Sequence, residues 1–348
     1  KPINVVLWEL GNELDKSGWT TEKYTEKCKE IISVLRKYTP GAKIGAIAAT
    51  DLANYDNTAA GPDSWNIPVS TGLKGMVDCY AGHEYYRMDE SDMLKKTDVF
   101  IDKLKKCDEN LTFVAITEHA SAECYNTETG KIEENLYYKD YSMGAVLQEA
   151  EFYNRNLIRP DGADLACYHS VKAGPWEMTY EQGREVYANA MADIMEMYSY
   201  NAVGNVLKTE LEGFDSYISS KVTGAAVMDR YGNINVLLSN SDSAEKEVSI
   251  SLSNDNYSPV KMTVICAENS DSYNGITQSG TVVNGIIKYD AAVTNGKAVL
   301  PPYSVAAVKF SCLMQIYEAD FIGNSIRIDG TLGAESQNEN VTLMINDL

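Results

Sequence analysis

The sequence runs to 348 residues, 44% of them hydrophobic, enough for sizeable cores and an expectation of two or three domains. Asp and Glu number 50 against 30 Lys and Arg, a net charge of −20. Such a surface repels nucleic acid and anionic lipid but does not hinder a neutral ligand, and no 18-residue apolar run exists to span a membrane.

Residues 5–13, VVLWELGNE, read as a buried strand that stops on an amide and a carboxylate, Asn12 and Glu13. Residues 20–38 follow with helical apolar spacing at Ile31, Ile32, Val34 and Leu35, and Thr20 or Thr21 is the N-cap. Further apolar runs lie at 43–50, 75–86, 111–119 and 163–170, and helical patterns at 92–107, 138–158 and 180–199. Five short strands alternating with long amphipathic helices are the pattern of a parallel sheet, and continuous apolar runs are what strands buried on both faces look like. A doubly wound sheet and a (β/α)8 barrel both fit, although no GxGxxG follows a strand.

After about residue 203 the texture changes to short β-rich runs punctuated by Gly, Asn and Ser turns, which predicts an antiparallel sandwich over 203–313. Residues 314–348 hold the opening of a further β module after a linker. The N-terminal KPINVVLW lacks a starting Met, a long apolar core and a cleavage site, and the tail stops inside a strand pattern. The chain is therefore expected to be a piece of a longer one. The seven cysteines form no CxxC pair and read as scattered buried thiols.

The chemistry-bearing residues gather at strand ends. The first strand ends in Asn12 and Glu13, the third in His83 with Tyr85 and Tyr86, the fourth in Thr117, Glu118 and His119, and the fifth in Tyr168 and His169, with Trp176 soon after. The three histidines of the chain thus close three different strands. In a parallel barrel those ends share the face that holds active sites. Two carboxylates there, Glu13 and Glu118, suit glycoside hydrolysis, in which one protonates the leaving oxygen and the other attacks the anomeric carbon or activates water. Asn12 can hydrogen-bond a sugar hydroxyl, and Trp8, Tyr85 and Trp176 offer flat faces to sugar rings. A zinc site of three His and a Glu is the competing use of the same residues, but no HExxH is present.

A strand ending in GNE, a later strand ending in TEH and a following β-sandwich that closes on LPPYSVAAVKF (300–310) resemble glycoside hydrolase clan A, most nearly its α-L-arabinofuranosidase family. The resemblance covers about residues 3–312. It implies a partial (β/α)8 TIM barrel, strands 4–8, over residues 1–202, then a C-terminal antiparallel β-sandwich over 203–313. It matches Glu13 to the acid/base after strand 4 and Glu118 to the nucleophile after strand 7. HEYY (83–86) is similar to the strand-6 His-x-Tyr, so His83 and Tyr85 would line the site with Asn12, His169 and Trp176. One departure is Thr117-Glu118-His119, where the family usually has Asp-Glu-Trp.

The resemblance implies a retaining hydrolase of α-L-arabinofuranosyl linkages in plant-type polysaccharides, with a carbohydrate substrate and no metal or organic cofactor. Another clan A glycosidase, such as a xylosidase or endoglucanase, is the alternative within the enzyme class. A non-catalytic carbohydrate-binding part of a multimodular protein is the alternative outside it. Five of eight barrel strands would leave two open edges, so these residues alone are expected to be inactive. Secretion is expected of a polysaccharide-cleaving protein, although intracellular members of the family pattern exist.

Overall fold

The computed structural model describes residues 5–49, 63–86, 102–159, 163–212 and 221–312, except positions 112, 127, 128, 130, 173, 254, 255, 278 and 295, together with the backbone of 314–322, 325–332 and 340–345. Contacts divide the chain into two units, Lys1–Asp140 with Arg159–Glu177, and Tyr141–Ile158 with Met178–Leu348. The sequence pattern placed every helix before residue 203 with the barrel. Two of them, α3 (Met143–Ile158) and α4 (Ala190–Asn201), instead group with the antiparallel unit.

The first unit is a half-barrel of five parallel strands: β1 (Leu7–Leu10), β2 (Lys43–Ile47), β3 (Cys79–Tyr86), β4 (Ala115–Ser121) and β5 (Leu165–Tyr168), in that spatial order. β1 and β5 are its outer strands. The sheet curls strongly. Neighbouring strands stand about 4.8 Å apart, yet Glu9 on β1 accepts a hydrogen bond from Thr117 on β4, three strands away, at 3.2 Å.

Helix α1 (Thr21–Tyr38) starts at Thr20, whose side chain accepts from the Lys23 amide at 3.3 Å. Its buried stripe is Tyr24, Thr25, Cys28 and Ile32. Of the apolar positions read from the sequence, Ile31 and Val34 stay 37% and 53% exposed. The stripe is turned because Tyr24 has a backbone task. Its hydroxyl donates to Leu10 O at 2.8 Å and accepts from Ile47 N at 2.7 Å, tying together the C-terminal ends of β1 and β2. Trp65 on α2 (Asp63–Gly72) packs on that ring at 5.2 Å and donates to Ile47 O at 3.2 Å. This helix escaped the sequence reading, having Pro68 inside it and little apolar periodicity. Residues 102–107 are helical, and the remainder of the helix expected at 92–107 lies outside the described residues.

In the second unit six antiparallel strands form one sheet: β6 (Asn205–Leu207), β7 (Val222–Met228), β8 (Ile234–Asn240), β9 (Tyr257–Ala267), β10 (Ile286–Ala291) and β11 (Ser304–Cys312), in the order β6-β7-β8-β11-β9-β10. One face buries Val222, Leu238, Met262, Val264, Val308 and Phe310 against Ala298 and Leu300 of the strand pair Lys246–Ser249 and Lys297–Leu300. Helices α3 and α4 pack against the sheet as well, which is why β7 and β8 are buried almost throughout instead of alternating. The backbone of β12 (Met314–Ile322), β13 (Ser325–Leu332) and β14 (Asn340–Ile345) makes a separate three-stranded antiparallel sheet.

One expected helix is shorter than its pattern. Residues 180–188 of the run 180–199 lie in a β-hairpin, Thr179–Gln182 against Glu185–Ala188, turning at Gly183 with φ 66°. Tyr180 and Tyr187 face each other across it with ring centroids 5.5 Å apart, a cross-strand pair that outweighs helix propensity. The helix begins only after Asn189, whose side chain caps the Met191 amide at 3.0 Å. All seven cysteines are free, and Cys167 is exposed, against the expectation of burial. Among the described residues no helix is long and apolar enough to cross a membrane.

Candidate active site

The C-terminal ends of the parallel strands carry a polar cluster within the first unit. β1 delivers Glu13 through a tight turn. Gly11 takes φ 116°, a conformation that residues with a side chain rarely adopt, so glycine is favoured there. Glu13 itself is left-handed (φ 48°, ψ 36°), an uncommon conformation for a residue with a side chain. The turn is held by the Glu13 carbonyl, which accepts from the Lys16 amide at 3.1 Å and the Ser17 hydroxyl at 3.2 Å.

His83 is the hub. Its Nδ1 lies 3.1 Å from Glu13 Oε1 and 3.6 Å from Glu118 Oε2, and its Nε2 lies 3.9 Å from Glu9 Oε1. His83 Nδ1 and Glu13 Oε1 share one hydrogen bond, whose direction is set by the tautomer of the imidazole. One ligand atom each from Glu13, His83 and Glu118 lies within 4.8 Å of the other two, so an oxygen of one carboxylate is that near an oxygen of the other.

Tyr85, two residues on and so on the same face of β3, donates its hydroxyl proton to Glu118 Oε1. Its oxygen lies 2.9 Å from His169 Nδ1. A phenol has a single proton, so His169 is the donor in that second bond. Burial, then the hydrogen bond and charge of Glu118, push the Tyr85 phenol well above its usual range, which keeps it a donor. The Trp176 ring stands 4.9 Å from that of Tyr85 and 5.5 Å from that of His169, making an aromatic wall beside Glu118. The Trp176 indole N–H is buried and has no hydrogen-bond partner among the described residues.

Of the residues expected in the site, the fold therefore brings together Glu13, Glu118, His83, Tyr85, His169 and Trp176. Asn12 flanks Glu13 in the chain, but its side chain is exposed and makes no hydrogen bond among the described residues. Trp8 alternates with Glu9 along β1 and so projects from the opposite face. The three-histidine zinc arrangement is not built. His119 is fully buried, with the ring of Tyr86 6.5 Å away and that of Tyr168 5.9 Å away, and it is not in the group formed by Glu13, His83 and Glu118.

One member of the cluster escaped the sequence reading, and the role of Thr117 beside it did as well. Glu9 projects into it from β1, and Thr117 donates to the Glu9 carboxylate. Burial pushes the Glu9 carboxyl above its usual range, His83 and the Thr117 hydrogen bond pull it back, and Glu118 adds to the rise. The available signal was an acid inside the apolar run VVLWEL, out of phase with Leu10.

The profile of the α-L-arabinofuranosidase C-terminal domain family matches residues 118–304, more than half of the sequence. The chain belongs to that family. Its fold is similar to that of an arabinofuranosidase of glycoside hydrolase family 51 from Xanthomonas axonopodis pv. citri, with a TM-score of 0.65 at 15% identity, covering 89% of this chain and 67% of that one. An α-L-arabinofuranosidase from Thermotoga maritima, in an arabinose complex, gives 0.66 at 16% identity with 87% and 65% covered. A thermostable family 51 enzyme from Thermotoga petrophila RKU-1 gives 0.67 at 14% identity, again with 87% and 65% covered. The present family member thus spans about two thirds of the length of these structures. No curated protein matches its sequence.

Proposed function

We propose that this chain carries the catalytic carboxylates of a retaining α-L-arabinofuranosidase acting on an arabinose-containing saccharide. The observation that carries the reading is the approach of Glu13 and Glu118 to within 4.8 Å. Retaining glycosidases hold their carboxyl groups about 5–5.5 Å apart, whereas inverting ones leave about 6.5–9.5 Å for a water. Glu118 attacks the anomeric carbon as the leaving oxygen takes a proton from Glu13, giving a glycosyl-enzyme and an ionised Glu13. Glu13 then removes a proton from water as it attacks the same carbon, and Glu118 leaves as carboxylate. Tyr85 orients the Glu118 oxygen by its hydrogen bond, and the Tyr85–Trp176 wall gives the sugar an apolar face.

The test is hydrolysis of a nitrophenyl α-L-arabinofuranoside by the full-length protein, with the anomer of the first-formed sugar followed by proton NMR. Release of arabinose with retained configuration is expected. An inverted product would replace the double displacement by a single one. Failure to cleave this or any other aryl glycoside would favour the carbohydrate-binding reading.

A further inference from the structure

The register of β4 contains an irregularity at its functional end. Against β3, Gly82 pairs with Ile116 but His83 pairs with Glu118, leaving Thr117 without an opposite residue. Against β5, Ile116 pairs with Ala166 and His119 with Tyr168, so Thr117 and Glu118 together face one residue, Cys167. Thr117 is thus an inserted residue relative to both neighbours, a β-bulge in the middle of a parallel sheet. In a regular strand Thr117 and Glu118 would point to opposite faces. Here both side chains reach the interior of the half-barrel, Thr117 to Glu9 and Glu118 to Tyr85. Bulges near active sites re-aim side chains in this way, and they need something to hold them.

We propose that Glu9 is a positioning residue for Glu118, holding the β4 bulge through Thr117 from across the half-barrel. The inference rests on the reading of Glu118 as the nucleophile. Three contacts converge on it. Glu9 Oε1 accepts from Thr117 Oγ1 at 3.2 Å, one residue before Glu118. The same oxygen lies 3.9 Å from His83 Nε2, on the side of the ring away from Glu13 and Glu118. His83 is itself the residue that pairs with Glu118 at the point where the register slips. Glu9 therefore braces both strands on either side of the slip. A third carboxylate near two others is electrostatically unfavourable, and among the described residues no Lys or Arg pairs with it. A site that only needed filling would be served better by an apolar or amide side chain. The position of this acid is explained by what it holds.

The experiment uses Thr117→Val, which keeps the shape but removes the hydroxyl, together with Thr117→Ser, Glu9→Ala and the Glu9→Ala/Thr117→Val double variant, all in the full-length protein. In a crystal structure of Thr117→Val the Glu118 carboxyl is expected to leave the Tyr85 hydroxyl. On an aryl arabinofuranoside, kcat is expected to fall about 10- to 100-fold with KM nearly unchanged, as for a misplaced reacting group. Thr117→Ser should recover most of that loss, and the double variant should lose little more than either single one. A Glu118 carboxyl that stays in place in Thr117→Val overturns the proposal. So do additive losses, or an unchanged kcat in an active protein. Absence of glycosidase activity in the unmodified protein would instead defeat the functional reading, and the crystallographic comparison would still decide the role of Glu9.

Discussion

The two ends of the parallel sheet use the same residue type in opposite ways. At the N-terminal ends each carboxylate is a pin. Asp78 accepts from the Ile44 amide at 2.8 Å and from Arg36 at 2.7 Å, and Asp164 accepts from the Val114 amide at 2.8 Å. Every such acid is matched by a backbone donor or a cation. At the C-terminal ends, Glu9, Glu13 and Glu118 share one imidazole, and among the described residues no Lys or Arg pairs with them. A fold seeking only stability would not gather three acids around one histidine, because the repulsion and desolvation are unfavourable. The charges at one end pin backbone amides and a cation, and those at the other carry the proposed chemistry.

Substitutions sharpen this contrast. The largest effect belongs to the reactive end. Glu13→Ala is expected to slow hydrolysis by about 10²- to 10⁴-fold. The loss should be greatest for substrates with poor leaving groups and small for a nitrophenyl leaving group, which departs without a proton. Steady-state kinetics across a leaving-group series measures it. An equal loss with every leaving group would contradict the acid role.

A buried acid outside both sets gives the next effect. Asp140 lies beyond β4 and accepts from the Glu123 amide at 2.6 Å and the Cys124 amide at 3.3 Å. Burial pushes its carboxyl up to about 6, against the hydrogen bonds that lower it. The folded state therefore binds this proton more tightly than the unfolded state does. The stabilisation is complete below the unfolded value near 3.8 and is lost as pH rises through about 6. The difference in unfolding free energy between wild type and Asp140→Asn should move in favour of wild type by on the order of 2 kcal/mol between pH 7 and pH 4. Urea denaturation at the two pH values reads it, and a pH-independent difference would contradict it.

Smaller effects follow. Tyr85→Phe removes a hydrogen bond to a charged group, about 1.5–3 kcal/mol, so kcat/KM should fall roughly 10- to 100-fold while the melting temperature changes little. At the opposite end, Asp78→Ala leaves the Ile44 amide and Arg36 without their partner and should lower stability by about 1–3 kcal/mol. Its kcat at a temperature well below melting should remain that of the wild type. A loss of kcat there would erase the distinction between the two ends.

Much of this was legible in the sequence. Five apolar runs, each ending in a polar or aromatic group, placed Glu13, His83, Glu118 and His169 on one face before any coordinates. Periodicity could not show the bulge at Thr117, because an extra residue in one strand is visible only against its neighbours. The same holds for Glu9, whose partners lie two and three strands away. The hairpin at 179–188 was hidden because Tyr180, Val186 and Tyr187 fit a helical spacing as well as a strand pairing. The turned face of α1 followed from a hydroxyl that bonds strand ends, which a hydrophobic pattern does not encode.

The most direct test of the paired carboxylates is Glu118→Ala in the full-length protein, assayed on a nitrophenyl α-L-arabinofuranoside with and without azide. Turnover is expected to fall by roughly 10⁴-fold or more, and azide is expected to restore it while forming an arabinosyl azide of inverted configuration. Undiminished hydrolysis by Glu118→Ala, or a loss that azide repairs with retained configuration, would contradict the assignment of Glu118 as the nucleophile.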